Sequence, residues 1–399
     1  MRRTVFLAIP ILAFAANAAR SAEPSADVAG ALKAIQSVSR EGTGNEAAAT
    51  AWKVLVRSGA EALLPTLAAF ETADPTAANW LRTAVDGIVQ AAKKDKKPLP
   101  IADLERFLKD SKRSPVARRI AFEVYSSANK TQADSMLLGM IDDPSGEIRR
   151  DAIALRIEKA KALKTGDEKP EYRALFTAAR DKDQVEELAK KLEAIGDKPN
   201  VTTHYGFITE WQLVGPFDAP GASGYAKAYA PEAGVDLLAK YDGKSEAMTW
   251  KSAQSELAYG TIELSTDIGK AKDAVAFAYA VLVAEKETPA EIRVSSPNAV
   301  QVYLNGKKVL EREEYHHGAP FDQYAGKVVL KAGKNDLLVK VCQNDQKEAW
   351  AQKWEFAVRF CDSTGGNLGL MQVLTKNGKP ETVALGALKP MAVEKKEQK

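Results

Sequence analysis

Flat aromatic rings and short polar side chains alternate in the C-terminal part of the chain, a combination that suits sugar binding. Tyr315 and Tyr324 bracket one polar stretch, and Trp350 and Trp354 flank another. A sugar ring stacks its C–H face on an aromatic ring while its hydroxyl groups bond to polar side chains. The polar candidates are His317, Asp322, Gln323 and Asn344. The pattern predicts a saccharide site, with packing of Tyr324 and Trp354 in a core or at an edge as the alternative.

Two adjacent histidines in this segment raise the question of a metal site. His316 and His317 precede Asp322, and His204 is the third histidine of the chain. Adjacent residues on a strand point to opposite faces, so both imidazoles reach one ion only if the backbone bends. We therefore expect no metal site. The favoured alternative is a hydrogen-bonded loop in which one imidazole holds the backbone and the other is exposed.

Carboxylates near the same loop raise glycoside hydrolysis as a further chemistry. Asp322 with Glu313 or Glu314 would supply the two carboxyl groups that such enzymes use, but the sequence does not fix their separation. The chain has no Gly-x-Ser-x-Gly elbow, phosphate loop, metalloprotease helix motif or Cys-x-x-Cys pair. These observations favour a binding protein without catalysis or cofactor.

The two cysteines, Cys342 and Cys361, each end a predicted strand. An exported protein meets oxidising conditions, in which a bridge between neighbouring strands forms. Such a bridge would close a loop of about 20 residues and stabilise the fold by about 3 kcal/mol. The alternative is two buried thiols.

The first 18 residues have the layout of a secretory signal peptide. Arg2 and Arg3 form a basic start, Val5 to Ala16 are apolar, and Ala16-Asn17-Ala18 resembles a cleavage site. The apolar stretch is short for a bilayer span, so a retained anchor is the less favoured alternative. We expect a soluble, exported protein in the periplasm or outside the cell, with no membrane insertion after cleavage.

Acidic and basic side chains are mixed along the whole chain. The formal charge of +3 falls by the two arginines of the signal peptide to +1. A nucleic-acid partner requires a concentrated basic face, whereas the basic runs here are residues 93–97 and 394–399. The composition therefore argues against nucleic-acid binding.

The hydrophobic periodicity changes near residue 200, which predicts an α + β chain of two domains. Residues 26–196 have apolar positions at helical spacing, and residues 207–375 alternate with a period of two. A polar linker over 197–206 separates them, and residues 386–399 form a charged tail that we expect to be disordered. The second domain is predicted to be an antiparallel β-sandwich, because seven or more short strands follow without long helices.

The helical region is predicted to contain eight to ten helices in antiparallel pairs. Asp74-Pro75 before Leu81-Arg82 and Asp143-Pro144 before Ile148-Arg149 resemble HEAT-type repeats. The resemblance implies an N-terminal α-solenoid, in which aspartate and arginine tie neighbouring repeats together; a closed bundle is the alternative. Solenoid surfaces usually bind proteins, so a protein partner is possible on this face.

Several motifs together resemble a family of exported proteins of planctomycete-type bacteria. They are Trp211-Gln212-Leu213-Val214-Gly215-Pro216-Phe217-Asp218, Tyr303-Leu304-Asn305-Gly306-Lys307, Tyr315-His316-His317-Gly318, Asp322-Gln323-Tyr324, Cys342-Gln343-Asn344-Asp345-Gln346 and Trp350-Ala351-Gln352-Lys353-Trp354. The resemblance implies HEAT-like helices joined to a jelly-roll domain, with no established activity. The jelly roll is in turn similar to the galactose-binding-like sandwiches that accompany glycoside hydrolases.

These observations lead to one preferred function and one alternative. We expect an exported, non-catalytic protein whose helical scaffold carries a β-sandwich that recognises a glycan or a protein partner. The alternative is a structural or assembly component of a cell-envelope complex that has no small ligand. The direction in which Trp350, Tyr315 and Tyr324 point distinguishes the two.

Overall fold

The computed structural model describes residues 24–164, 166–376 and 379–385. The predicted signal peptide, residues 1–18, and the predicted tail, residues 386–399, lie outside the described residues. The chain divides into two compact units, one ending at Ala133 and the other beginning at Asp134. The division falls inside the predicted helical region and not at the predicted 197–206 linker.

Helices make up the first unit and part of the second. They are α1 (Ala26–Gln36), α2 (Asn45–Ser58), α3 (Ala60–Ala68), α4 (Pro75–Lys94), α5 (Ile101–Lys109), α6 (Pro115–Ala128), α7 (Lys130–Leu137), α8 (Gly146–Ala160), α9 (Glu168–Ala178), α10 (Lys182–Ala194), α11 (Val201–Tyr205), α12 (Ala230–Ala233) and α13 (Leu264–Asp267). The first ten match the predicted eight to ten helices.

Apolar stripes and caps set the helices of the first unit. Leu63 and Leu67 on α3 are fully buried, as their spacing predicts. Asp74 caps α4 by accepting a hydrogen bond from the Ala77 amide at 2.8 Å, and Pro75 occupies the first turn. Sequence neighbours pack in pairs, α1 with α2, α3 with α4 and α5 with α6. The structure does not show the regular stacking of repeats that defines a solenoid.

The strands all lie in the second unit. They are β1 (Glu210–Asp218), β2 (Lys240–Asp242), β3 (Ala247–Thr249), β4 (Lys251–Gln254), β5 (Ile262–Glu263), β6 (Ala274–Ala284), β7 (Thr288–Ser295), β8 (Ala299–Leu304), β9 (Lys307–Arg312), β10 (Tyr324–Leu330), β11 (Gly333–Gln343), β12 (Glu355–Cys361), β13 (Met371–Lys376) and β14 (Lys379–Ala384). The described chain is thus α + β.

Two antiparallel sheets enclose one apolar core. The eight-stranded sheet has the order β14-β13-β6-β11-β8-β9, with β1 between β6 and β4, and the four-stranded sheet has the order β10-β7-β12-β5. Alternate residues of each strand point into the core. Val339 and Val341 of β11 do so from the larger sheet, and Val358 and Phe360 of β12 from the smaller one.

The outer face of the smaller sheet is covered by the helices that precede it in sequence. Buried residues of α8 to α10 form one apolar cluster with Phe207 and with Ala357 of β12, and Phe321 packs against it. The predicted linker supplies α11, whose Tyr205 is 1% exposed within the same cluster. The helices from α8 to α11 and the smaller sheet therefore share an apolar cluster in the second unit.

The outer face of the larger sheet is partly covered by residues 219–249, here called the strap. Phe217, Phe277 and Cys342 form an apolar cluster there, against which tyrosines of the strap pack. Lys340 is 1% exposed, and its ammonium donates to the carbonyls of Tyr225 and Lys227 and to Glu232, at 2.7–3.2 Å. A buried cation with three acceptors fixes the strap to the sheet.

The structure contradicts the predicted disulfide, since Cys342 and Cys361 are both free thiols. Cys342 lies on β11 of the larger sheet and points outward beneath the strap. Cys361 lies on β12 of the smaller sheet, and its neighbour Phe360 fills the core, so Cys361 points to the opposite outer face. The two strands are not neighbours, and both sheets lie between the thiols.

We expect alkylation to report this burial. Burial raises the pKa of Cys342 to about 12 and also raises the pKa of Cys361, so little thiolate is present near neutral pH. Iodoacetamide at pH 8 should label neither residue in the native protein and both in guanidinium chloride, as read by intact mass. Rapid labelling of either thiol without denaturant would contradict the packing described here.

Among the described residues, no helix combines the length and apolarity needed to cross a bilayer.

Candidate functional site

Two loops meet at one end of the sandwich and form what is here called the rim. The first follows β9 and contains Tyr315 and His316, and the second follows β11 and contains Asn344 and Trp350. His316 joins them, because its Nε2 donates to Oδ1 of Asn344 at 2.6 Å. Its backbone amide also donates to the Pro297 carbonyl at 2.5 Å. The two segments predicted to carry the site are therefore in contact.

Trp350 is the exposed aromatic residue of the rim. Its side chain is 61% exposed, on a short helical turn over Ala349–Ala351. The rings of His316 and Trp350 form a T-shaped pair, with a centroid distance of 5.3 Å and an interplanar angle of 82°. A second anchor holds the turn, since Lys272 donates to the Ala351 carbonyl at 2.6 Å. The indole is thus presented to solvent on a fixed base.

Polar groups adjoin the indole. Oδ1 of Asn344 also accepts from the Gln346 amide at 3.2 Å, and its Nδ2 donates to Oε1 of Gln346 at 3.0 Å. These bonds orient both amide side chains beside His316. His317, the next residue, is exposed, as the predicted division of roles between the two histidines requires. His316 differs from that prediction, because its imidazole holds a side chain and its backbone amide holds the main chain.

Tyr315 stands behind the rim and is mostly buried. Its ring packs against the apolar cluster beneath the strap, and its ring centroid lies 6.2 Å from that of His316. Burial raises the pKa of the phenol, whose oxygen has no hydrogen-bond partner among the described groups. Tyr315 therefore supports the rim from inside and presents little surface to a ligand.

Tyr324 and Trp354, both predicted as ligand contacts, are core residues, which corrects that prediction in favour of its alternative. Tyr324 is 8% exposed and donates its hydroxyl to Glu314 at 2.8 Å. Trp354 is 1% exposed and donates Nε1 to the Val341 carbonyl at 3.4 Å. Both rings fill the space between the sheets, where apolar burial outweighs exposure of a stacking surface.

Gln323 is likewise a structural residue. Its Oε1 accepts from the Ser296 amide at 3.0 Å, and its Nε2 donates to the Gly318 carbonyl and to the Tyr324 hydroxyl, both at 3.0 Å. Through these three hydrogen bonds, the side-chain amide of Gln323 holds the loop between β9 and β10 in place. Gln323 is not available to orient a ligand.

Asp322 pairs with a buried arginine that the sequence did not identify. Its Oδ1 accepts from Nε of Arg359 at 2.8 Å, and its Oδ2 accepts from Nη2 at 2.5 Å. Arg359 is 1% exposed on the outer face of β12. The one feature of the sequence that could have identified Arg359 is the position of an arginine on the outward face of an otherwise apolar strand. Asp322 is therefore an ion-pair partner and not a ligand contact.

Aromatic rings surround this ion pair at the helix–sheet junction of the second unit. The Arg359 guanidinium lies 5.0 Å from the ring centroid of Tyr205, 5.8 Å from that of Phe207 and 5.1 Å from that of Phe321. Cation–π attraction strengthens as water is excluded. The cluster joins α11, β12 and the loop before β10, so it stabilises the platform from which the rim loops extend.

The described residues contain no group of three or more His, Cys, Asp or Glu side chains that could hold a metal ion. At the rim, the imidazole of His316 is engaged with Asn344, and His317 is exposed.

Comparison with known proteins assigns no family. No family model matches the sequence, and no curated protein matches it. A β-glucosidase from Kluyveromyces marxianus in complex with glucose has a TM-score of 0.26 and 10% identity, over 39% of this chain and 16% of that one. An anti-sigma factor domain-containing protein from Clostridium clariflavum has a TM-score of 0.24 and 10% identity, over 47% and 48%.

A family 35 carbohydrate-binding module from an environmental isolate also matches, with a TM-score of 0.16 and 17% identity, over 22% of this chain and 67% of the module. This chain spans less than half the length of both the glucosidase and the anti-sigma protein. At these TM-scores the matches assign neither the fold nor the function.

Proposed function

We propose that this chain is an exported, non-catalytic protein whose sandwich binds a glycan at the rim through Trp350. One observation carries the proposal: a large apolar ring stands 61% exposed on a loop that hydrogen bonds hold from two sides. An exposed indole forgoes the free energy that its burial would contribute to folding. Because the loop already holds the ring in place, less conformational entropy is lost when a ligand binds. The ring face supplies stacking, and the two rim loops carry the exposed His317 and the partly exposed Gln346 as polar groups.

The affinity of such a site is modest. One stacking ring and a few hydrogen bonds that compete with water leave little free energy beyond the cost of association. We expect dissociation constants in the range of about 10 μM to 1 mM. Avidity for a polymer or a repeated surface glycan would compensate for weak single contacts.

Substitution of Trp350 tests the proposal. Trp350→Ala should weaken binding of a glycan selected on an array by about tenfold or more, because the stacking face is lost. Trp350→Phe, which keeps a ring, should retain most of the affinity. The melting temperature should not change, since the side chain is exposed. Isothermal titration calorimetry gives the affinities.

A matched control and a contrary outcome make the test decisive. Val329→Ala changes another exposed apolar residue, 54% exposed on β10, and should leave glycan affinity unaltered. Equal affinity of wild type and Trp350→Ala for every glycan bound would reject the rim as the site. A folded wild type that binds no glycan would reject the function itself.

The engagement of Asp322 supports the non-catalytic part of the proposal. A glycosidase needs two carboxyl groups facing its substrate. The Asp322 carboxylate accepts hydrogen bonds from two nitrogens of the buried Arg359, and Glu314 accepts a hydrogen bond from the hydroxyl of the core residue Tyr324. Both carboxylates are thus engaged by other side chains.

A second candidate, assembly with a protein partner, is favoured by a different observation. Leu238 of the strap is 92% exposed and its neighbour Leu237 is 39% exposed. Two exposed leucines in sequence are typical of a surface that another protein covers. Loss of a co-purifying partner on Leu238→Ser, with glycan binding absent throughout, would favour this alternative.

The finer architecture belongs to the same proposal. The two sheets around one core are consistent with a jelly roll, and the paired helices with HEAT-like repeats. Membership of the exported planctomycete-type family would account for both, and would place the protein in the periplasm or outside the cell. The surface of the helical repeats would then be available to a protein partner.

A further inference from the structure

A transverse row of side chains crosses the outer face of the eight-stranded sheet. Strand register places six residues side by side on six neighbouring strands. From one side to the other they are Ser252, Gln212, Tyr279, Leu338, Tyr303 and Lys308. Sequence neighbours such as Ala278, Val339 and Val302 point into the core between the sheets. The row therefore faces outward.

The centre of the row is aromatic and its ends are polar. Leu338 is 6% exposed and forms a floor between the half-buried rings of Tyr279 and Tyr303. Ser252 and Lys308 at the two ends are exposed. Neighbouring strands lie about 4.8 Å apart, so the two tyrosines stand about 10 Å apart and the row spans about 24 Å.

Carboxylates hold both rings in place. The Tyr279 hydroxyl donates to Oδ1 of Asp336 at 2.5 Å, and the Tyr303 hydroxyl donates to Oε2 of Glu232 at 2.7 Å. The ring of Trp250 supports Tyr279 from the side, at a centroid distance of 6.3 Å. Rings fixed before binding lose little conformational entropy when a ligand stacks on them.

The strap borders the row along one side. The next outward-facing residue after Tyr279 on β6 is Phe277, and the next after Leu338 on β11 is Lys340. The strap covers both of them. Glu232, which fixes Tyr303, is itself a strap residue on α12. The strap thus lies beside the row, in which Tyr279 and Tyr303 remain partly exposed and Ser252 and Lys308 are exposed.

We infer that this row is a second glycan-binding surface, on which an extended saccharide chain lies across the strands. The inference rests on the proposed function for its ligand class, but it shares no residue with the rim. Two stacking rings about 10 Å apart suit sugar units that are two positions apart in an extended chain. The polar residues at the two ends of the row can form hydrogen bonds with sugar hydroxyl groups. The mixed charges of the chain argue against nucleic acid as the ligand. A peptide strand would pair with a sheet edge and not with this face.

The test uses the full chain in a Trp350→Ala background, so that only the row is measured. Xylo-, manno- and cello-oligosaccharides of two to six units are titrated by calorimetry. Affinity for at least one series should rise with chain length, because a longer chain reaches both tyrosines. Tyr279→Leu should weaken binding of the longest oligomer by about five- to tenfold, whereas Tyr279→Phe should keep it within about twofold.

Tyr303→Leu and Tyr303→Phe give an independent pair, should Tyr279→Leu fold poorly as judged by melting temperature. If the Trp350→Ala protein, without further substitutions, binds no oligosaccharide, the row is overturned as a glycan surface and the rim proposal stands. If the Trp350→Ala protein keeps the wild-type affinity and the leucine variants lose it, the row is supported and the rim is rejected as the site. Leucine variants that bind as tightly as their Trp350→Ala parent would overturn the inference.

Discussion

Replacing Arg359 with methionine is expected to lower the free energy of unfolding of the second unit by about 3–5 kcal/mol. Arg359 is 1% exposed and forms both hydrogen bonds of its ion pair with Asp322. Methionine retains apolar volume but removes both hydrogen bonds to the Asp322 carboxylate, which keeps only a longer ion pair with Arg293 at 3.9 Å. Urea unfolding followed by tryptophan fluorescence and circular dichroism measures the loss.

Companion variants identify the cause of that loss. Arg359→Met with Asp322→Leu removes both charges and should recover part of the stability, since no unpaired carboxylate remains. Arg82→Met in the first unit removes an arginine that is 41% exposed and pairs with Asp86 and Glu123, and should cost less than about 1 kcal/mol. An Arg359→Met loss as small as that of Arg82→Met would contradict the role assigned to the buried pair.

Acidification is expected to destabilise the second unit through His204. Burial lowers the pKa of this imidazole from 6.5 to about 4 in the folded protein, where Nε2 lies 2.9 Å from the Ala179 carbonyl. The unfolded chain therefore binds a proton at a higher pH than the folded one. Stability from this residue is fully present above pH 6.5 and is lost as the pH falls towards 4, by about 3 kcal/mol in total and about 2 kcal/mol by pH 5.

His204→Gln isolates this contribution. Glutamine can donate to the Ala179 carbonyl but does not titrate, so the variant should lose less stability than wild type between pH 7.5 and pH 5. The difference between the two proteins, from urea unfolding at each pH, should be about 2 kcal/mol. Parallel pH profiles for wild type and variant would show that His204 is not buried as described.

The periodic elements could be predicted from sequence because local pattern determines them. The region predicted to alternate with a period of two, residues 207–375, holds thirteen of the fourteen described strands wholly or in part, since a sheet buried on one face needs apolar residues at that period. Short or polar strands have the weakest sequence pattern: β2, β3 and β4 lie in or beside the strap, and β9 lies at the edge of its sheet. Edge and strap strands bury little apolar surface and so leave a weak pattern.

Long-range packing could not be predicted in the same way. Nothing local to Arg359 indicates that Tyr205, 154 residues earlier, covers it. The predicted disulfide failed for a related reason, because spacing along the chain does not report which sheet a strand joins. Of the aromatic candidates, Tyr324 and Trp354 are buried while Trp350 is exposed, although all three have polar neighbours in sequence.

The central claim, that Trp350 contacts a glycan, is tested most directly by the indole NH resonances of ¹⁵N-labelled protein. The chain has six tryptophans, and Trp350→Phe assigns the signal of Trp350. Titration with a glycan selected on the array should shift the Trp350 signal and leave those of the buried Trp211 and Trp354 in place. A titration that shifts other indole signals while the Trp350 signal does not move would contradict the account.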